Sequence, residues 1–192
     1  EISFLLPPTE DPFLGGRTQK LSSLLAAKAS AAFTQEFSGG TAAFDCRAFV
    51  LPKHKATEYF EWRQNDCFRN CVHSVAFYEI AEGANREFAT DRLHGVSSDE
   101  KQELLFSEYG INVNNIPPKR KRGRTLKRED VEMPVEDYLD ESKFKDLLQK
   151  GYVEKGDTVE RSRIRLDEEP PQFTKRPRYI DQFLYPQNPG VA

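Results

Sequence analysis

The stretch YFEWRQNDCFRN, residues 59–70, decides how the chain is read. Tyr59, Phe60 and Trp62 call for burial. Arg63, Asp66, Arg69 and Asn70 crowd directional polarity onto the same helix. With Arg63 at zero on a helical wheel, Asp66, Asn70 and His73 fall within about 80° of it. Phe60, Cys67, Phe68, Cys71, Val72 and Val75 fill a broad face elsewhere. The spacing therefore predicts one buried side, anchored at its start by three aromatics, and a narrow stripe ordered Arg, Asp, Asn, His. A solvated face with an Arg63–Asp66 or Asp66–Arg69 pair is one reading of that stripe. A wall that meets phosphate or ribose oxygens is the other, because Arg and Asn present forked donors.

Working outward, helical spacing runs from about Lys55 to Ala81. A second helix is expected at Asn85 to Leu93. A third is expected in SSDEKQELLF, with Ser97 or Ser98 as N-cap and acids in its first turn. Upstream, the apolar run Ile2 to Leu6 reads as a strand, broken by the prolines of PPTEDPF. A long helix follows from about Gly16 to Phe37, ended by the Ser-Gly-Gly at 38–40. AAFDCRAFVLP reads as a strand stopped by Pro52, so the first fifty residues read strand, helix, strand. YGINVNNIPP reads as a loop. VEDYLDESKFKDLLQKG reads as one amphipathic helix. ERSRIRL reads as a strand with Arg161, Arg163 and Arg165 on one face. The proline- and aromatic-rich tail after Pro170 reads as an irregular strap.

The 192 residues carry a net charge of −3, with 38% hydrophobic and 31% charged side chains. Mean hydropathy is −0.70. No apolar run approaches membrane-spanning length, and no signal-peptide pattern is present. The charge is partitioned. Residues 117–134 hold seven Lys or Arg against three Asp or Glu, a local +4, which leaves 21 against 28, or −7, elsewhere. The basic run KRKRG at 119–123 reads as a phosphate-facing surface, a solvated basic turn or a localisation signal. Cys46, Cys67 and Cys71 are odd in number and form no CxxC pair, which points to reduced thiols in a cytoplasmic setting. Cys67, Cys71 and His73 find no fourth ligand at a useful metal spacing.

YFEWRQNDCFRN resembles the signature of the tRNA-histidine guanylyltransferase family, closest to its shorter guanylyltransferase-like members. The family pattern is roughly Y-F-x-W-R-Q-x-D-[AC]-H-x-N. The chain matches at Tyr59, Phe60, Trp62, Arg63, Gln64, Asp66, Cys67 and Asn70, and departs at Phe68, where the family usually has histidine. EISFLL resembles the strand that begins in the family's S-D-E-x-S-F. PFLGGRTQKL resembles P-F-x-R-R-x-x-K-L, and FDCRAFVLP resembles F-D-[CG]-R-V-x-x-x-P. EKQELLFSEYGINVNN resembles K-N-E-[LI]-L-F-x-x-x-[IN]-N-x-N, with Gln102 in place of Asn. RKRG resembles Q-K-R-G, and RSRIRLDEEPPQF resembles the family's C-terminal strand and loop.

The resemblance implies an α+β protein. Its polymerase-palm, ferredoxin-like sheet is incomplete in this chain and is followed by a helical extension and small C-terminal β elements. The expected division is 1–52 for the remaining half of the palm and 53–116 for the helical region. Residues 117–192 then hold a basic hairpin, the amphipathic helix and the C-terminal strand and tail. The implied activity is nucleotidyl transfer to the 5′ end of a tRNA in the 3′-to-5′ direction, with ATP and GTP as substrates and two Mg2+ ions clamped by carboxylates. Those carboxylates are expected upstream of Glu1, which stands just after the second of them and is counted with the catalytic group. The chain is thus expected to be the C-terminal three quarters of such an enzyme, inactive alone. By the same resemblance Arg17 and Lys20 would hold a triphosphate. Arg63, Gln64, Asp66, Arg69 and Asn70 would form the wall for the RNA end, and Lys121 and Arg122 would lie on tRNA phosphates. A homotetramer is the implied assembly. A non-catalytic RNA-binding module and another palm-fold nucleotidyltransferase are the alternatives.

Overall fold

The computed structural model describes residues 1–6, 9, 11–37 and 39–184. The proline break at residues 7 and 8, Ser38 of the expected helix stop, and the tail beyond residue 184 lie outside them. Contacts group the chain into two compact units. One holds Glu1–Trp62 with the segment from Phe173 onward, and the other holds Arg63–Gln172.

The first unit begins with a segment outside helix and strand and a tight turn at Phe13–Gly16, in which Leu14, Gly15 and Gly16 all have positive φ. For Leu14 that conformation costs about 1–2 kcal/mol, because its Cβ crowds the following carbonyl. Helix α1 follows at Thr18–Glu36. Next come a segment outside helix and strand and the first turns of α2, which as a whole spans Lys53–Gly83. Helix α8, numbered by its place in the chain, closes the unit at Arg178–Leu184. Its core is Ala56, Phe173, Ile180 and Leu184, with Leu5, Phe60 and Tyr179 packed against them.

The second unit continues α2 and adds α3 (Arg86–Leu93) and α4 (Ser98–Tyr109). Their ends are written in the sequence. The Asn85 side chain accepts from Phe88 N. Ser97 and Glu100 form a reciprocal capping box, and Gly110, at φ 66°, closes α4. Val72, Ala76, Ile80, Ala89, Leu93, Leu105 and Val113 make the core of this unit. Short α5 (Pro118–Lys121) leads into β1 (Thr125–Pro134), then α6 (Val135–Tyr138), α7 (Glu141–Gln149) and β2 (Thr158–Asp167). The two strands pair antiparallel, Thr125 opposite Asp167 and Pro134 opposite Thr158. The α+β class is thus met by helices and a two-stranded sheet. No helix among the described residues is long and apolar enough to cross a membrane.

Four expectations are corrected. Residues 2–6 and 42–52 belong to no strand. The backbone at 42–44 is spent on α1 instead, since Ala42 N donates to Thr34 Oγ1 at 3.1 Å and Phe44 N to Ser30 Oγ at 2.9 Å. The basic hairpin is not local: β1 pairs with β2, beyond the intervening helices. The single amphipathic helix is two, because Asp140 caps a new start by accepting from Lys143 N at 2.9 Å. Trp62 does not anchor the helix in the core, being 52% exposed. Its ring lies tilted against Tyr59, with centroids 6.0 Å apart.

Candidate nucleic-acid interface

The stripe on α2 exists, and one carboxylate organises it. Asp66 faces Arg63 Nη1 at 3.3 Å and accepts from Arg69 Nη2 at 2.9 Å and from Asn70 Nδ2 at 3.4 Å. These partners stand three before, three after and four after it, the spacing that brings helical side chains together. Arg63 and Asp66 keep 17% and 25% of their side-chain surface exposed, and Arg69 keeps 55%. One anion thus holds two guanidiniums and an amide in fixed positions at the surface. Charge-assisted hydrogen bonds of this kind lower the ordering cost when an external anion arrives. His73 extends the exposed stripe, its ring tilted against Phe77. Phe68 is half-buried against the helical core, so the position where the family usually carries imidazole contributes packing here.

Gln64 sits differently from its neighbours. It is 6% exposed and its Nε2 donates to Pro171 O at 3.0 Å. The side chain ties α2 to the segment after β2. Nothing in the local pattern signals this, because the acceptor lies 107 residues away.

The basic run is also turned inward in part. Lys121 is 8% exposed and its Nζ donates to the carbonyl of Asn114 at 2.8 Å. Arg122 Nη1 donates to Pro170 O at 3.3 Å. Burial, and then the charge of Arg122, push the Lys121 amine below the ordinary lysine value, and Cys71 opposes them. Cys71 in turn is pushed up, by burial first and Cys67 second. Lys119 and Arg124 face Glu168 at 3.2 and 3.6 Å. Lys121 and Arg122 are brought together as ties between loops.

Arg17 and Lys20 flank the start of α1, both exposed. Arg17 Nε donates to Leu14 O at 3.3 Å, closing the turn of left-handed residues. An open pocket of about 500 Å3 lies between α1 and the segment that precedes α2, lined by Thr18, Gln19, Ser22, Ser23, Ala26, Cys46 and Ala48. On α1 the lining residues span about 140° of the wheel from Thr18, and Lys20 falls at about 200°. Arg17 and Lys20 are therefore off the pocket wall. Glu1 is exposed. Among the described residues no three or more His, Cys, Asp or Glu side chains converge to hold a metal ion. The described residues do not fit a magnesium site.

The family model described as "Thg1 C terminal domain" matches residues 54–170. Curated relatives include the tRNA(His) guanylyltransferase of Debaryomyces hansenii, 40% identical over 89 residues, which cover 45% of this chain and 34% of that protein. A bacterial tRNA(His) guanylyltransferase (Thg1)-like protein solved with ATP superposes with a TM-score of 0.63 at 26% identity. That likeness covers 92% of this chain and 62% of the other. The same kind of bacterial protein solved with GTP gives 0.57 at 28% identity, with coverage of 92% and 60%. The matched part spans about a third of the length of the curated relatives. With the family match running from the start of α2 through the whole Asp66 stripe to the segment after β2, the chain belongs to the Thg1 C terminal domain family.

Proposed function

We propose that this chain holds the RNA end in a tRNA 5′-end nucleotidyltransferase of the tRNA-histidine guanylyltransferase type, which adds GTP-derived nucleotides in the 3′-to-5′ direction. The observation that carries the reading is the surface clamp of Arg63, Arg69 and Asn70 around Asp66, in a chain of this family. Arg63 and Arg69 meet phosphate oxygens, and Asn70 meets ribose or a base edge. Asp66 is a positioning residue. Gln64 supports the wall from behind through Pro171. Lys121 and Arg122 act on RNA by fixing the loops of the basic run.

The bacterial relatives, solved in complex with ATP and with GTP, support nucleoside triphosphates as co-substrates. Arg17 and Lys20 are proposed to meet the triphosphate, with Glu1 beside the catalytic group. In this reading residues 1–52 belong with the palm, 53–116 form the helical region and 117–192 the basic and C-terminal elements. The three free thiols suit a cytoplasmic setting, and a homotetramer is the proposed assembly.

The test is nucleotide addition to tRNA by the whole protein. Arg63→Ala and Asn70→Ala should each cost about 1–3 kcal/mol of transition-state stabilisation, the range for a hydrogen bond to a charged group. Thermal midpoints should barely move. Lys145→Ala, which removes only the exposed pair with Glu141, should leave activity intact. If Arg63→Ala unfolds the protein while its folded fraction stays fully active, the stripe is structural and the proposal fails.

A further inference from the structure

We infer that a second RNA-phosphate contact lies in the first unit, on the turn Lys175-Arg176-Pro177-Arg178, beyond the residues matched by the family model. The inference rests on the proposed RNA substrate and adds a binding site to it.

All three cations are exposed, and none has a hydrogen bond or ion pair from its side chain among the described residues. That sets them apart in this chain. Elsewhere basic side chains close in sequence are largely spent: Arg63 and Arg69 on Asp66, Lys119 and Arg124 on Glu168, Arg165 on Glu129. Lys121 and Arg122 are spent on carbonyls. No other four consecutive described residues hold three cations without such a partner. In a chain of net charge −3, three adjacent cations without a carboxylate repel one another unless an outside anion meets them.

The turn that displays them is rigid. Arg176 N donates to Phe173 O, Tyr179 N to Arg176 O and Ile180 N to Pro177 O, each at 3.0 Å. The rings of Phe173 and Tyr179 stack across its base, with centroids 5.5 Å apart and planes 18° from parallel. Phe173 and Ile180 are buried in the core with Ala56 and Leu184, and Pro177 fixes its own φ. The cations are thus held in place before any ligand arrives, so binding costs little ordering. The large apolar residues that flank the turn, Phe173 and Ile180, are buried, so among the described residues the turn shows no large apolar wedge to enter a membrane. A rigid, purely cationic knuckle without base-reading amides fits a sugar-phosphate backbone and reads no sequence.

The experiment measures binding of the chain to a tRNA transcript and to an unrelated hairpin RNA between about 50 and 200 mM salt. The triple variant Lys175→Gln, Arg176→Gln, Arg178→Gln should lose roughly tenfold or more in affinity for both RNAs. The slope of log affinity against log salt should fall by roughly two to three, about one for each cation removed. Its thermal midpoint should match the parent's, since the three side chains have no bonded partner among the described residues. Unchanged affinity and slope in a chain that binds tRNA would overturn this site alone and leave the Asp66 stripe standing. A parent chain that binds neither RNA would overturn both readings. A variant that keeps RNA but loses binding to polyglutamate would assign the turn to an acidic protein partner and overturn the inference.

Discussion

Two basic runs, KRKRGR at residues 119–124 and KRPR at 175–178, look alike on paper and differ in the fold. In the first, Lys121 and Arg122 point at carbonyls, and Lys119 and Arg124 share Glu168. In the second, all three cations face solvent with no partner among the described residues. Charge density does not distinguish a surface that meets an external anion from a set of internal ties. What separates them is whether backbone acceptors and a carboxylate lie nearby. The carbonyls of Asn114 and Pro170 are left over where loops end, and long cationic side chains reach them while burying their stems.

The sharpest way to break the comparison is Lys121→Ala. It removes a buried side-chain stem and leaves the Asn114 carbonyl without its donor, so unfolding should become easier by about 2–3 kcal/mol. Lys175→Ala should move the thermal midpoint hardly at all. Equal midpoints for the two variants would mean that the inward turn of the first run contributes nothing to stability. Gln64→Ala should cost about 1–2 kcal/mol, the loss of a buried amide bond to Pro171, and should reduce activity only through that loosening. Denaturant melts read it directly, and a Gln64→Ala protein of full stability but impaired RNA binding would put the amide on RNA instead. Arg122→Ala is smaller, about 0.5–1.5 kcal/mol, because its bond to Pro170 is long and only half-buried.

The same distinction explains what could be read in advance. Helices α2, α3 and α4 were legible because their signals are local: periodic apolar residues in α2 and α3, and Ser97 or Ser98 as a cap with acids in the first turn of α4. The Arg63–Asp66–Arg69 geometry followed from helical spacing alone. Strand β1 was not legible. TLKREDVEMP shows no alternation, since neither face of its sheet is deeply buried, and its partner begins 33 residues after it does. The apolar runs at 2–6 and 42–52 have strand composition. At 42–44, however, the hydroxyls of Ser30 and Thr34 capture the backbone donors. Burial of Gln64 depends on an acceptor 107 residues away, and burial of Lys121 on a loop carbonyl outside any helical or strand spacing.

The smallest expected effect is one of pH, and it tests whether the inward lysine is truly buried. Burial and then Arg122 push the Lys121 amine below its ordinary value in the folded chain, with Cys71 pulling the other way. The unfolded chain therefore binds this proton more tightly than the folded one. Below the folded value both states are protonated and the full cost of the buried charge is present. As pH rises from there toward the ordinary lysine range, the folded chain sheds the proton first, so stability rises relative to a variant that lacks the group. Cys71, held up by burial, stays a neutral thiol through the lower part of that window and adds no charge there. Lys121→Met keeps most of the volume and removes the proton. Thermal midpoints of parent and variant, followed from about pH 7 to pH 10, should move relative to one another in the parent's favour toward the alkaline end. A constant gap across that range would mean that the amine is solvated like its counterparts at 175–178, and the contrast between the two runs would then reduce to their hydrogen bonds alone.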